Sequence, residues 1–440
     1  MRIRSIFKFL PPVLEYNQMD IPVEEFLTPT RVVILLKDPN GELNATVAEG
    51  DKVKTGQRLA SDINNSGAIS SVTGEVKELS SLLGARGESF TAVAIENQGN
   101  DEWDSSIIPD KDYLSKPPEE LRNKLSEFDW FLMPEEGQID TVIVNAFDSE
   151  PIVAISQPIL TENSSDIQAG LAACQHVFGA SRVILAAPEH LQGLAREVAS
   201  DGVTVSTLKP VYPNGHPHLL VHKVIGKEVP EGGTPEDIGV LVISLEKLIA
   251  MLRLLRDGKP QIEKVLTVAG KGIPSPRVLK VRLGTLVSDI LSHCGVTIDD
   301  RDRLIIGGPM RGTAYFSSDY PITEHSDAII VQDATEIIEV TDNPCVNCGE
   351  CVRVCPVHIQ PHLLGRYSEF GLFLETRRYE IDACIECGLC AYVCTARRPT
   401  LQYIQFAKDM IIKEEERLKE AELQQAEEEE TIRKEEETIE

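Results

Sequence analysis

Two matched groups of four cysteines near the end of the chain constrain its fold more than any other feature. Residues 345–355 read CVNCGECVRVC and residues 384–394 read CIECGLCAYVC, so each group has the spacing C-x2-C-x2-C-x3-C. Only two of the ten cysteines lie elsewhere. Three thiolates spaced this closely can surround one face of an inorganic cube, because the loop between them turns back on itself. The spacing therefore predicts iron–sulfur centres.

This spacing resembles that of bacterial-type ferredoxins, in which the fourth cysteine of each run binds the other of two [4Fe–4S] clusters. We therefore predict a first cluster bound by Cys345, Cys348, Cys351 and Cys394, and a second bound by Cys384, Cys387, Cys390 and Cys355. A glycine follows the second cysteine of each run, where the absence of a Cβ lets backbone N–H groups approach sulfur. One position departs from the ferredoxin pattern: Pro356 follows Cys355, but Thr395 follows Cys394.

Zinc and disulfides are the two other common uses of cysteine. Zinc takes four ligands, usually as two pairs with a wide gap, so the third and fourth cysteines of each run would be surplus. Disulfides need an oxidising compartment, and the opening residues do not read as a secretory signal. The spacing therefore favours clusters over both.

Length and charge narrow the class of protein. A chain of 440 residues is long enough for two to four domains. Its formal net charge of −27 would repel a phosphate backbone, so nucleic acid is excluded as a partner. No apolar run approaches the roughly 18–20 residues that span a bilayer. Residues 413–440 are dominated by charge and are predicted to form a solvated helix or a disordered tail.

The pattern of apolar runs predicts a multidomain protein of mixed α/β and α+β class. Residues 1–100 read as a lipoyl-like barrel-sandwich module, with no lysine at the turn where carrier domains are modified. Buried strands alternate with helices over residues 101–260, which predicts a parallel sheet. Residues 261–315 follow a β-grasp order, residues 335–412 hold the ferredoxin-like clusters, and residues 413–440 form the charged tail.

This order of parts resembles the C subunit of the Rnf electron-transport complex. Further runs similar to that family are PEGGTPEDIGV at Pro230–Val240, VRLGTLVSDIL at Val281–Leu291 and IIGGPMRG at Ile305–Gly312. The resemblance implies an α/β domain like that of the Complex I 51 kDa subunit and a β-grasp domain of the SLBB type. It also implies a cytoplasmic subunit, peripheral on the inner face of the cell membrane, that exchanges electrons with ferredoxin and docks on the membrane subunits.

The family binds FMN and reacts with NAD, but this chain departs from the family at the flavin site. The family carries a glycine-rich loop before the first strand of the α/β domain, whereas no glycine occurs here between Asn100 and Gly137. Trp130 and Phe147 would crowd the crevice, only Asp148 and Glu150 remain of an acidic run, and Ser244 replaces an asparagine. We therefore expect that FMN and NAD do not bind.

Three functions follow from these observations. The first is an electron-transfer subunit that relays electrons through two [4Fe–4S] clusters between a soluble redox partner and a membrane-associated, ion-translocating complex. The second is an NADH:ferredoxin-type oxidoreductase subunit that still binds FMN and NADH. The third is a scaffold that keeps its clusters for structure alone. Flavin content and reversible one-electron reduction distinguish the three.

Overall fold

The computed structural model describes residues 13–38, 41–42, 45–60, 68–85, 87–128, 139–338, 340–341 and 343–439. The chain forms two compact units. The larger comprises Val13–Val229 and Gly233–Ile337, and the smaller includes Pro230–Gly232 and the chain from Ile338 onward.

The larger unit contains the described strands and seven of the described helices. The strands are β1 (Val23–Phe26), β2 (Arg31–Asp38), β3 (Gly41–Glu42), β4 (Lys52–Val53), β5 (Gly74–Leu83), β6 (Ser89–Asn97), β7 (Thr141–Asn145), β8 (Arg182–Pro188), β9 (Val203–Leu208), β10 (Val240–Ser244), β11 (Glu263–Gly270), β12 (Ile273–Arg282), β13 (Arg303–Ile306), β14 (Thr313–Tyr315) and β15 (Ala328–Gln332). The helices are α1 (Pro118–Ser126), α2 (Ser156–Glu162), α3 (Ser164–Phe178), α4 (Gln192–Val198), α5 (Pro217–Ile225), α6 (Leu245–Asp257) and α7 (Val287–His293).

The first module is a five-stranded sheet in the order β3-β2-β6-β5-β4. Alternate side chains of β2 and β6, among them Val32, Ile34 and Ile95, form its core, as the twofold period of a strand requires. The turn that carries a lysine in lipoyl-type carriers is buried here, and the Ser71 hydroxyl donates a hydrogen bond to the carbonyl of Leu283. This turn does not present an exposed side chain for modification.

The second module is a parallel sheet in the order β10-β7-β8-β9. Its central strand β7 is apolar and buried on both faces, because helices cover the two sides of a parallel sheet. The chain passes from β7 through β8 to β9 on one side and then returns to β10 on the other. The topological switch point therefore lies between the carboxyl ends of β7 and β10, where open α/β sheets bind ligands.

The third module is a mixed six-stranded sheet in the order β1-β12-β11-β15-β13-β14. The β11–β12 hairpin is followed by α7, which packs on the sheet through Val287, Ile290 and Leu291. The sheet extends beyond residues 261–315, since Val23–Phe26 pairs with β12 and Ala328–Gln332 pairs with β11 and β13. These pairings join distant segments, which local sequence patterns do not reveal.

The smaller unit is helical and surrounds the cysteines with α8 (Glu350–Val354), α9 (Pro361–Glu369), α10 (Leu389–Tyr392) and α11 (Thr400–Ile439). Leu364 of α9 packs against Ile404, Ala407 and Ile411 of α11 at a spacing of three to four residues, which places them on one helix face. Helix α11 continues through the charged segment after residue 412. Among the described residues, no helix has the length and apolar character needed to cross a bilayer.

Candidate functional site

The structure brings together the four cysteines predicted to bind the first cluster. Cys345, Cys348, Cys351 and Cys394 all line one cavity of about 80 Å³. The first three come from one run and the last comes from the other, so the two runs interleave as the ferredoxin spacing requires. Cys348 is exposed, and the other three are half-buried.

The four cysteines predicted for the second cluster are also close to one another, but more deeply placed. Burial raises the pKa of the Cys387 thiol to about 11, and the neighbouring Cys384 and Cys355 contribute to that rise. Burial also raises the pKa of Cys390 well above its ordinary value, and Cys384, Cys387, Cys351 and Cys355 contribute to that rise. The thiols would therefore stay protonated unless a metal centre replaced their protons.

The two loops have the same backbone conformation at positions 39 residues apart. Their left-handed residues are Asn347 (φ 51°), Gly349 (77°) and His358 (59°) in the first, and Glu386 (54°), Gly388 (77°) and Arg397 (52°) in the second. Alternating left-handed residues turn successive N–H groups toward the inside of a loop, which suits an anionic iron–sulfur cluster.

Single zinc ions draw thiolates to about 2.3 Å, and no three His, Cys, Asp or Glu side chains in the described part of the chain form such a single-ion site.

Hydrogen bonds reach the sulfur atoms of the first group from its surroundings. The Thr395 hydroxyl donates to Cys348 Sγ at 3.7 Å, and the backbone N–H of Arg398 donates to Cys394 Sγ at 3.4 Å. The Cys345 thiol instead donates to Oδ1 of Asn347 at 3.7 Å. Thr395 and Arg398 therefore offer the first group donors that can stabilise negative charge on sulfur.

Several cations of this unit are paired with carboxylates. Arg398 is buried and pairs with Glu369, while Lys408 of α11 lies 3.0 Å from Glu386 and donates to the carbonyl of Cys384 at 2.7 Å. Three further arginines of this unit also have partners: Arg353 pairs with Glu350, Arg377 with Glu415 and Arg378 with Glu375.

A second candidate site lies in the larger unit, at the switch point of the parallel sheet. A cavity of about 390 Å³ opens there, lined by Asn145 at the end of β7 and by Ser244 at the end of β10. The Ser244 hydroxyl accepts the N–H of Lys247, so it caps the first turn of α6. Lys247 lines the cavity, and burial lowers the pKa of its ammonium group. This edge of the crevice is suited to an anion, because α6 directs its positive end there.

Three residues in the segment that follows β7 support the crevice wall. Phe147 packs edge-on against Tyr16, with ring centroids 5.6 Å apart, and fits against Gly215, where a Cβ would lie 2.5 Å from Phe147 Cβ. Asp148 accepts the N–H groups of Ile155 and Ser156, and Glu150 accepts those of Met310 and Arg311. Phe147 therefore borders the crevice without filling it, and both carboxylates are engaged by backbone.

A buried ion triad forms another wall of the same cavity. Lys264 Nζ lies 2.5 Å from Glu246 Oε2 and 2.7 Å from Asp327 Oδ1. Burial opposes charge on Lys264, yet Asp327 and Glu246 hold its pKa above the ordinary value. Burial acts to raise the pKa of Asp327, but the charge of Lys264 outweighs it and the pKa lies below its ordinary value. At Glu246 burial is the stronger effect, so the pKa lies above its ordinary value. We take Asp327 as the firmly ionised partner, because Lys264 outweighs burial there.

Sequence reasoning named Phe147 and Ser244 at the crevice but missed Lys247 and the ion triad. The partners of Lys264 are 18 and 63 residues away along the chain, so no local motif joins them. Lys408 was also missed. Lys408 follows the second cysteine run closely in sequence. A lysine on the face of α11 that contacts this run would have been the signal.

Comparison with known families assigns three parts of the chain. Residues 11–100 match the RnfC barrel sandwich hybrid domain, residues 128–252 match the Nuo51 FMN-binding domain, and residues 337–395 match the 4Fe-4S dicluster domain. These matches support the barrel-sandwich, α/β and cluster-binding parts of the predicted fold. They also favour iron–sulfur over zinc for the cysteine runs.

Known proteins resemble the chain over most of its length. The C subunit of the proton-translocating ferredoxin:NAD(+) oxidoreductase complex of Clostridium ljungdahlii is 28% identical, across 88% of this chain and 89% of that protein. The C subunit of the Na(+)-translocating complex of Acetobacterium woodii is 26% identical, across 82% and 87%. A solved structure of an NAD+-reducing [NiFe]-hydrogenase contains a chain that aligns with this one at 15% identity. The alignment covers 69% of this chain and 63% of the hydrogenase chain, and its TM-score of 0.44 is too low to support an argument.

The expectation that FMN and NAD do not bind is wrong. It rested on the missing glycine-rich loop, but residues 128–252 match an FMN-binding domain and the relatives are named for a reaction with NAD(+). The crevice is also open, because Phe147 turns toward Tyr16 and Gly215. Trp130 lies outside the described residues. Over most of its length the chain resembles the C subunits of ion-translocating ferredoxin:NAD(+) oxidoreductase complexes, and its residues 11–100 match the RnfC barrel sandwich hybrid domain.

Proposed function

We propose that the chain is the electron-transfer subunit of an Rnf-like complex, with an FMN and NADH site in the α/β module and two [4Fe–4S] clusters in the smaller unit. The observation that carries this proposal is the cavity lined by three cysteines of one run and the last cysteine of the other. Such cross-sharing of the fourth cysteine is typical of two-cluster ferredoxins.

The ligand sets follow from the same interleaving. Cys345, Cys348, Cys351 and Cys394 would hold one cluster, and Cys384, Cys387, Cys390 and Cys355 the other. The left-handed residues of both loops would direct backbone N–H groups at the bound clusters. When bound, each cluster supplies one-electron chemistry, and with four cysteines apiece neither has an open iron position for substrate.

The crevice at the switch point would hold FMN. Its volume of about 390 Å³ and its place outside the carboxyl ends of β7 and β10 fit a mononucleotide. Lys247 and the first turn of α6 would hold the phosphate, since both present positive charge to the cavity. When bound, FMN would supply the chemistry that links the two-electron reaction of NADH to one-electron transfer. Asp148 and Glu150 keep the surrounding loops in place.

The partners we propose are ferredoxin and the membrane subunits of an Rnf-like, ion-translocating complex, to which this chain would attach at the cytoplasmic face. The support is that two proteins similar to this chain are subunits of complexes named for ferredoxin, NAD(+) and ion translocation. We also assign the six-stranded sheet to the SLBB type of β-grasp domain. Its hairpin, helix and parallel β11–β15 pairing are the features that favour this assignment.

Reduction by NADH tests the proposed function. The full-length protein, purified without oxygen and supplied with FMN, should lose visible cluster absorbance and gain [4Fe–4S]+ EPR signals when NADH is added. Cys348→Ser should lose the iron of one cluster, whereas Cys294→Ser, outside the loops, should keep both.

Clusters that dithionite reduces reversibly but NADH does not would contradict the flavin and nicotinamide half of the proposal. Clusters that undergo no reversible one-electron reduction would indicate a purely structural role and contradict the electron-transfer half.

A further inference from the structure

The two cysteine loops repeat each other in backbone but differ in chemistry at matched positions. The offset of 39 residues pairs Thr395 with Pro356 and Asn347 with Glu386. The reduction potential of such a cluster depends on the hydrogen bonds to its sulfur atoms, on nearby charge and on exposure to solvent. The differences therefore bear on which of the two takes an electron more readily.

The position after the fourth cysteine carries the clearest difference. The Thr395 hydroxyl donates to Cys348 Sγ at 3.7 Å, within the range of a hydrogen bond to sulfur. Proline at the matched position has neither a hydroxyl nor a backbone N–H to offer. A donor on a ligating thiolate withdraws negative charge from sulfur and stabilises the reduced, more negative cluster, so it raises the potential.

The position between the first two cysteines differs in the same direction. The Cys345 thiol donates to Asn347 Oδ1 at 3.7 Å, and once a cluster has replaced the thiol proton, a turn of the amide would present its N–H to the thiolate. Glu386 in the second loop has no donor. Its carboxylate is engaged by Lys408 at 3.0 Å and by Gln405 at 3.1 Å, so the nearby positive charge of Lys408 is largely offset.

Exposure also separates the two groups. Cys348 is exposed in the first group, whereas Cys355, Cys387 and Cys390 of the second are each about 8% exposed. Reduction adds one electron and no proton, so the cluster with its four thiolates gains one negative charge. A buried, low-dielectric site opposes that charge more strongly than an exposed one.

We propose that the cluster bound by Cys345, Cys348, Cys351 and Cys394 has the higher reduction potential of the two, and that the Thr395 hydroxyl sets this difference through its hydrogen bond to Cys348. The inference rests on the proposed function, because it needs both clusters. When the two clusters together take up one electron, that electron then resides on the first cluster, the one that would be held in part by the exposed Cys348.

The test is a redox titration of the full-length protein, purified without oxygen and followed by EPR. Thr395→Val removes the hydroxyl and keeps the shape, so it should shift the higher of the two potentials to a more negative value and leave the lower one in place. Thr395→Pro, which copies the other loop, should give the same shift. Thr395→Ser keeps the donor and should stay near the unchanged protein.

Thr341→Val is the matched control, because the Thr341 hydroxyl donates to the carbonyl of Ala396 at 2.7 Å and not to sulfur. It should leave both potentials in place. The inference is overturned if Thr395→Val shifts neither potential, if it shifts the lower one, or if Thr341→Val shifts the higher one equally. A protein that contains no [4Fe–4S] signals at all would instead overturn the proposed function, so the two failures are distinguishable.

Discussion

At the scale of single residues, the buried charges of the crevice link the parallel-sheet module to the six-stranded sheet. Lys264 on β11 joins Glu246 at the start of α6 and Asp327 just before β15. One ammonium group thereby connects the parallel sheet's last helix to two strands of the mixed sheet. A buried pair adds little net stability when intact, but removing one partner leaves a buried charge without compensation.

Replacing Lys264 with methionine should therefore destabilise the larger unit by about 3 kcal/mol or more, as for other buried pairs that lose one partner. The decrease in the free energy of unfolding should be smaller at lower pH, because protonation of Glu246 and Asp327 removes their unpaired charge. Thermal unfolding at pH 5 and pH 8 measures both effects.

Lys280→Met on the adjacent strand is the control, since Lys280 pairs with Glu263 at 3.3 Å in a partly exposed site. It should cost less than about 1 kcal/mol. Equal losses for the two variants would contradict the role given to the triad.

Asp148 gives a prediction about pH. Burial raises its pKa to about 7, against the two backbone N–H groups that favour its charged form. The folded state therefore holds this proton more tightly than the unfolded state, whose carboxyl titrates near 3.8. Stability is lost as the pH rises from about 4 through 7. Asp148→Asn keeps an acceptor oxygen and should gain stability relative to the unchanged protein between pH 5 and 8.

Melting temperatures across that range check the prediction. Asp140→Asn is the control, because the Ser181 hydroxyl lowers the pKa of Asp140 and moves its titration below the window. A stability difference for Asp148→Asn that is the same at pH 5 and pH 8 would show that Asp148 is ionised throughout.

The cysteine spacing could be recognised in the sequence, whereas Lys247 and the ion triad of the crevice could not. Three of the four thiolates in each predicted set are close together in sequence, so their spacing is a local signal. Phe147 was expected to block the crevice because its size is visible in the sequence. The space it occupies beside Gly215 and Tyr16 depends on segments that are more than 60 residues away.

At the scale of elements, the exit helix α11 supports the second cysteine loop. Lys408 donates to the carbonyl of Cys384 and pairs with Glu386. Glu386 has a φ of 54°, a left-handed backbone conformation that residues other than glycine and asparagine seldom adopt. The contacts of Lys408 compensate for the strain of that conformation.

Lys408→Met should weaken the second loop by about 1.5–3 kcal/mol, the usual contribution of hydrogen bonds to a charged group. The variant should release iron to a chelator faster than the unchanged protein, and the second cluster should be lost first. Lys413→Met, exposed on the same helix, should not change the rate. Equal rates for Lys408→Met and the unchanged protein would mean that α11 does not support the loop.

Periodicity was sufficient to predict most elements but not their neighbours. The buried runs of β7, β8 and β10 and the hairpin β11–β12 follow from apolar patterns that lie within a few residues. The pairing of β1 with β12 joins residues about 255 apart. No local pattern specifies such a partner, so the reach of the six-stranded sheet could be found only in the folded chain.

At the scale of the whole molecule, one missing motif was a poor guide to a missing function. The glycine-poor stretch before β7 suggested that the nucleotide site had been lost. A site at a switch point, however, is built by the ends of two strands and a helix terminus, and those parts remain. The strand order that creates the switch point is a property of the assembled sheet.

The most direct test of the account is the content of cofactor in the full-length protein purified without oxygen. We predict about eight iron and eight acid-labile sulfide per chain, as two [4Fe–4S] clusters require, with one FMN bound and little zinc. Four or fewer iron atoms per chain, or zinc in place of iron, would contradict the assignment of the eight cysteines to two clusters.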